Sequence, residues 1–169
     1  MKRRVVILCL LSALSACAPS IRGGSAGDPI LAENAQQVVM EQGSEKFLRL
    51  DYTLEDFGLR RSDIAGAFWI PEGVDEESAN MSTRFALTDV IVPAGWELEL
   101  VDIRAYRTIE TRYGRDTGEV TLRISPVLRL YVPADADLGE STVRAELDSR
   151  DGEALEIELP VRVRAPQIR

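Results

Sequence analysis

Histidine is missing from all 169 residues of this chain, and with it go the commonest general base near neutral pH and the commonest zinc ligand. Ser-His-Asp and Cys-His mechanisms are excluded outright. Cysteine is nearly as scarce. Cys9 and Cys17 both fall close to the start, so the rest of the sequence has neither a disulfide nor a thiolate cluster and must be held by its core. Aromatic residues make up 6%, too few for an extended sugar-stacking platform. The longest apolar run, residues 5–14, is about half the roughly 20 residues that a membrane-spanning helix needs. A long amphipathic helical pattern is also lacking, as is any internal repeat.

What remains is a globular composition, 45% hydrophobic and 28% charged, with room for one ordinary domain and a leader. Twenty Lys and Arg face 28 Asp and Glu for a net charge of −8. Setting aside Lys2, Arg3 and Arg4 of the leader leaves 17 against 28, or −11. So acidic a domain is repelled by phosphate backbones and anionic headgroups, which argues against nucleic acid and against flat contact with a membrane.

The first 16 residues have the three parts of an export signal in order: a basic start, an apolar run, and the small residues Ser15 and Ala16 before Cys17. Leu14-Ser15-Ala16-Cys17 resembles the lipobox of bacterial lipoproteins at all four positions. That resemblance implies a diacylglyceryl group on the Cys17 thiol, cleavage before Cys17 and acylation of the freed amine. With about 0.8 kcal/mol for each buried CH₂, three chains make an effectively permanent anchor. Ala16-Cys17-Ala18 also fits a plain Ala-x-Ala cleavage site, which would release a soluble exported protein. Ala18 stands where Gram-negative lipoproteins retained in the inner membrane carry Asp, so the resemblance implies outer-membrane delivery, facing the periplasm. From Ala18 to Asn34 the chain is rich in Gly, Ser, Pro and Ala and reads as a flexible tether. The expected organisation is a signal peptide over 1–16, lipidated Cys17 and tether over 17–34, and a folded domain over 35–169.

Within that domain the dominant signal is alternation. Val120, Leu122, Ile124, Leu128, Leu130 and Val132 share one parity, opposed by Thr121, Arg123, Arg129 and Tyr131, a strand pattern. Pro126 interrupts it and predicts a break into two strands at Ser125-Pro126. Val143, Ala145 and Leu147, then Leu155 to Val163, predict a hairpin turning at Ser149 to Gly152. Pro160, on its wet face, predicts an edge. Further strands are expected near Gln37 to Met40, along Leu48 to Leu54, and from Phe85 to Val92 with a parity change after Leu87. Between Glu97 and Tyr113 the apolar parity switches, which predicts a bulge or break near Val101. Seven or eight short strands without intervening helices predict an all-β, immunoglobulin-like β-sandwich.

Two passages add a resemblance to immunoglobulin-like modules of bacterial surface proteins: Leu130-Tyr131-Val132-Pro133-Ala134-Asp135-Ala136-Asp137-Leu138-Gly139-Glu140-Ser141-Thr142-Val143, with Ser141 where those modules carry Tyr, and upstream Pro93-Ala94-Gly95-Trp96. Both are turn motifs, so they speak to fold.

Candidate chemistry is thin. Asp75-Glu76-Glu77 are adjacent residues, which rarely converge on one ion. Asp135, Asp137 and Glu140 have better spacing for calcium, against a charged turn. No metal or cofactor is expected. Trp69, Trp96 and Tyr131 are the candidate partner-binding residues, because large aromatics dominate binding hot spots; core packing is the competing role for the tryptophans. Arg104, Arg107, Arg112 and Arg115 fit a surface ion-pair ladder with Asp102 and Glu110. The expectation is a lipid-anchored, non-catalytic interaction or structural module, its partners the bilayer through Cys17 and an envelope protein or glycan. A glycan- or ligand-binding module using exposed aromatics, and a carboxylate-based hydrolase, are the alternatives.

Overall fold

The computed structural model describes residues 24–60, 62, 78–112 and 115–167, without the side chains of 78–79 and 107–120. Ten strands lie in this part of the chain: β1 (Ile30–Leu31), β2 (Val38–Glu41), β3 (Ser44–Arg49), β4 (Tyr52–Thr53), β5 (Ser78–Asn80), β6 (Phe85–Ile91), β7 (Glu97–Arg112), β8 (Arg115–Val132), β9 (Gly139–Ser149) and β10 (Leu155–Arg164). A single 3-10 turn, Glu55–Phe57, follows β4.

One sheet runs β1-β3-β8-β7-β5, with β4 continuing the line of β3 along β8; the other runs β2-β10-β9-β6. Thus β3, β8 and β7 hold the B, E and D places of an immunoglobulin-type sandwich, and β6, β9 and β10 hold C, F and G. The expected all-β sandwich is the observed fold. Its core lies between the sheets, with Leu48, Leu50, Ile124, Leu128 and Leu130 from one and Val143, Leu147, Ile157, Leu159 and Val161 from the other, all at most 1% exposed.

The alternating pattern decides which face is buried, and bulges repair it where it fails. On β7, Leu98 faces inward before the switch and Ile103 and Ala105 after it. The β7–β8 register shifts between Leu100 and Asp102, so Val101 is the extra residue, left 49% exposed. On β6 the register with β9 shifts between Thr88 and Ile91, and Asp89 takes a positive φ of 45°. Of the two outcomes expected near Val101, a bulge or a break, the structure has the bulge, and the parity change after Leu87 coincides with a second one. The β9–β10 hairpin also forms, with Leu147 opposite Leu155.

Both prolines sit differently from expectation. Pro126 does not end a strand: β8 runs through it, with Ile103 of β7 as its neighbour. The break falls instead on the opposite side, between β3 and β4. Arg49 pairs with Val127 and Tyr52 with Ile124, one register on either side of the gap. The Leu50 N–H donates to the Pro126 carbonyl at 3.0 Å, so the donor that proline lacks also points to this side, opposite Leu50, which lies between the two strands. Pro160 is likewise not on an edge strand, since β10 lies between β2 and β9. Pairing with β2 begins only at Val161. Two residues upstream of Pro160, the Glu158 N–H donates to the Asn34 side chain at 2.8 Å, and the Asn34 amide donates to the Glu156 carbonyl at 3.0 Å. A side chain therefore stands in for a strand there, and proline's missing N–H falls on that same side.

Two expectations about length also change. β7 and β8 are 16 and 18 residues long rather than short. Among the described residues, β4 reaches only to Arg123 on β8 and β5 only to Tyr106 on β7, beyond which the two continue as a ribbon paired to each other. The segment expected to be flexible up to Asn34 is ordered over its second half, from Gly24. Gly24 accepts from the Phe47 N–H at 2.9 Å, the Ala32 N–H donates to Arg49 at 2.8 Å, β1 pairs with β3, and Ala32 is buried. The free edge of β3 offers the hydrogen bonds that order it.

Gly152, in the β9–β10 turn, lies against the 3-10 turn so closely that a Cβ would sit 2.5 Å from the Phe57 carbonyl oxygen and 2.8 Å from Leu59. Gly152→Ala is expected to lose about 1–3 kcal/mol in urea unfolding. Gly27→Ala, with open space around its Cβ position, should stay within about 0.5 kcal/mol.

Candidate functional site

Cys17, Trp69 and Asp75-Glu76-Glu77 lie outside the described residues, as do the side chains of Arg107, Arg112 and Arg115. The other candidates can be placed. Trp96 is 7% exposed and belongs to the core, so little of its ring is open to a partner. It closes the Pro93 turn, its N–H donating to the Pro93 carbonyl at 3.1 Å. Gly95, at φ +79°, brings that turn to 3.5 Å from the Pro133 ring, measured from its Cβ position. The two passages that resemble immunoglobulin-like modules are thus packed against each other at one end of the sandwich. Gln42 joins them, its side-chain amide donating to the Ala136 carbonyl at 2.6 Å.

Tyr131 is half-buried on the outer face of β8, between Glu45 on β3 and Glu97 on β7. The Arg129 guanidinium lies 5.9 Å from its ring centroid, within cation–π range. The same guanidinium donates to Glu45 at 2.8 Å, Glu97 at 3.2 Å and Glu99 at 3.1 Å. Hydrogen bonds to Glu45 and Glu99 hold it even further above its already high ordinary range. These carboxylates come from the two flanking strands, 30 to 84 residues away in the chain, so nothing in the local sequence around Arg129 marks the cluster. Only the cross-strand registers bring it together. Farther along the same face Arg104 donates to Asp102 at 2.8 Å, as the ladder expectation requires, and Ser125 donates a short hydrogen bond to Asp51.

Asp135, Asp137 and Glu140 are all exposed. Glu140 accepts from the Gln37 side chain at 3.3 Å. Among the described residues no group of three His, Cys, Asp or Glu side chains is placed to hold a metal ion. The buried polar residues there are Ser125 and Ser149; every described carboxylate is at least partly exposed.

One buried ionisable group was not singled out in the sequence. Tyr52, 8% exposed, lies edge-on to Phe57 with ring centroids 5.8 Å apart, and its hydroxyl has no hydrogen-bond partner among the described residues. Its place in the alternation of Leu48, Leu50 and Leu54 is the signal that could have found it. Burial, helped by the charge of Asp56, pushes the phenol well above its ordinary value near 10. A phenol that titrates higher in the folded than in the unfolded chain contributes its stability in full below pH 10 and loses it as the pH rises further. Tyr52→Phe is expected to match or exceed the parent by up to about 1 kcal/mol at neutral pH, since it removes an unpartnered hydroxyl. It should also weaken the fall in stability above pH 10, as read by urea unfolding at both pH values. No family model and no curated protein matches the chain, so its functional reading rests on its own residues.

Proposed function

We propose that this chain is a lipid-anchored protein of the bacterial cell envelope whose sandwich acts as a non-catalytic interaction or structural module. The observation that carries this reading is Leu14-Ser15-Ala16-Cys17 at the end of a basic-then-apolar leader. The fold offers support of a physical kind. Its inner faces are filled by apolar side chains, and its described outer faces carry ion pairs such as Arg129–Glu45 and Arg144–Glu158. No described helix is long and apolar enough to cross a membrane. With 17 basic against 28 acidic residues outside the leader, charge does not draw the domain to anionic lipid. Acyl chains on Cys17 supply the attachment that charge withholds, and tethering raises the effective concentration of weak contacts at the surface.

The glycan-binding alternative loses support from Trp96, which is buried, and keeps Tyr131. Ala18 after Cys17 favours the outer membrane, facing the periplasm.

Cells fed labelled fatty acid should incorporate it into the protein, and Cys17→Ser should abolish the label and move the chain from the membrane to the soluble fraction. An unlabelled parent, or full membrane retention of the Ser variant, would overturn the anchor.

A further inference from the structure

We propose that residues 24–32 form a clasp that ties the anchor to one end of the sandwich, setting which end faces the bilayer; this rests on acylation of Cys17. The clasp is built on the free edge of β3. Gly24 folds back on itself, its N–H donating to the Asp28 carbonyl at 2.8 Å, while its own carbonyl accepts from Phe47. Ile30 and Leu31 then pair in parallel with Leu48 and Arg49, and Ala32 closes the run, buried and bonded to Arg49. Gly24 is required where it stands. Its φ is +93°, and a Cβ would come within 3.1 Å of the end of the Ile30 side chain, so a β-branched residue is strained by the backbone and must also displace Ile30.

The position of this clasp along the sheet gives the domain a polarity. Phe47, which holds Gly24, is level with Arg129 on β8, three residues or about 10 Å from the end of that strand at Val132. Past Val132 lies the Pro133 loop, packed with the Pro93 turn. In the other direction β8 runs 14 residues from Arg129 back to Arg115, about 46 Å of ribbon. Cys17 precedes Gly24 by seven residues, a leash of at most about 25 Å. The Pro133 loop end is therefore held toward the bilayer, and the β7–β8 ribbon and the β9–β10 turn are carried away from it. With the clasp open, the fixed point moves to Asn34, bonded to Glu156 and Glu158 and 17 residues from Cys17, and the leash more than doubles to about 58 Å.

One strand of two residues and a turn on a sheet edge are the kind of unit that opens locally without global unfolding. The clasp thus doubles as a length control, short when docked and long when displaced.

The test uses the acylated protein in vesicles containing a lipid with a nitroxide on its headgroup. Cys17 is consumed by acylation and Cys9 leaves with the leader, so a cysteine placed at Leu138, beside the Pro133 loop, or at Arg150, in the β9–β10 turn, takes a single fluorophore. Quenching at 138 is expected to exceed that at 150 by about twofold or more with the short leash, and the ratio to fall toward one in Gly24→Val/Ala32→Asp. Inserting 12 Gly and Ser residues between Ile21 and Arg22 lengthens the leash with the clasp intact and should give the same fall, which keeps the test decisive if the double variant does not fold. Equal quenching at both sites in the parent, or a ratio unchanged by the longer leash, overturns the proposal. Absence of fatty acid on Cys17 would instead identify failure of the anchor itself.

Discussion

Everything in this fold depends on keeping one alternating set of apolar side chains between two sheets. With no disulfide in the domain, burial is the only large favourable term available to it, at roughly 25 cal/mol for each Å² removed from water. Alternation has a period of two, so a slip of one residue exchanges the buried and the solvated face. The chain breaks its own pattern twice, at Val101 and near Asp89, and each time a bulge absorbs one residue; past Val101 this restores the inward set, with Ile103 and Ala105 buried. The bulges also interrupt the ladders of β6 and β7, the two strands in which they lie. Such interruptions discourage edge-to-edge pairing with other chains.

The strands whose alternation survives in the sequence were legible there: the inward set of β8, the β9–β10 hairpin and both parity changes. They are local, and period two is a local signal. The prolines were misread for one physical reason. A missing N–H forbids a strand only if that donor would have faced a partner, and for Pro126 and Pro160 it falls beside a gap that the sequence does not reveal. The clasp was missed because its residues are those of a flexible link, and the order comes from hydrogen bonds offered by β3. The Arg129 cluster escaped notice because its carboxylates meet only through the registers of three strands. Of the candidate aromatics, Trp96 was correctly open to a packing role, and Tyr131 is the one placed on a surface, already engaged by Arg129.

Function in this account is divided along the chain. Under the proposed function the chemistry lies at Cys17, directly after the leader, and the domain contributes shape and charge. An acidic body has no electrostatic attraction to anionic lipid, so the proposed acyl anchor would supply the attachment that charge withholds. The surface of the described sheets is knit by ion pairs between neighbouring strands, each worth little alone. They fix side chains more than they stabilise the fold.

Register, held by the bulge at Val101, keeps the apolar set inside. Deleting Val101 makes the two halves of β7 alternate in one phase, with Leu98, Leu100, Ile103 and Ala105 on one face; deleting Val127 shifts Leu128, Leu130 and Val132 of β8 out of phase with Ile124. Urea unfolding of the two deletions is the most direct measurement. Loss of Val101 is expected to leave stability within about 1 kcal/mol of the parent, while loss of Val127 abolishes the cooperative transition. Equal damage from both deletions would contradict the account.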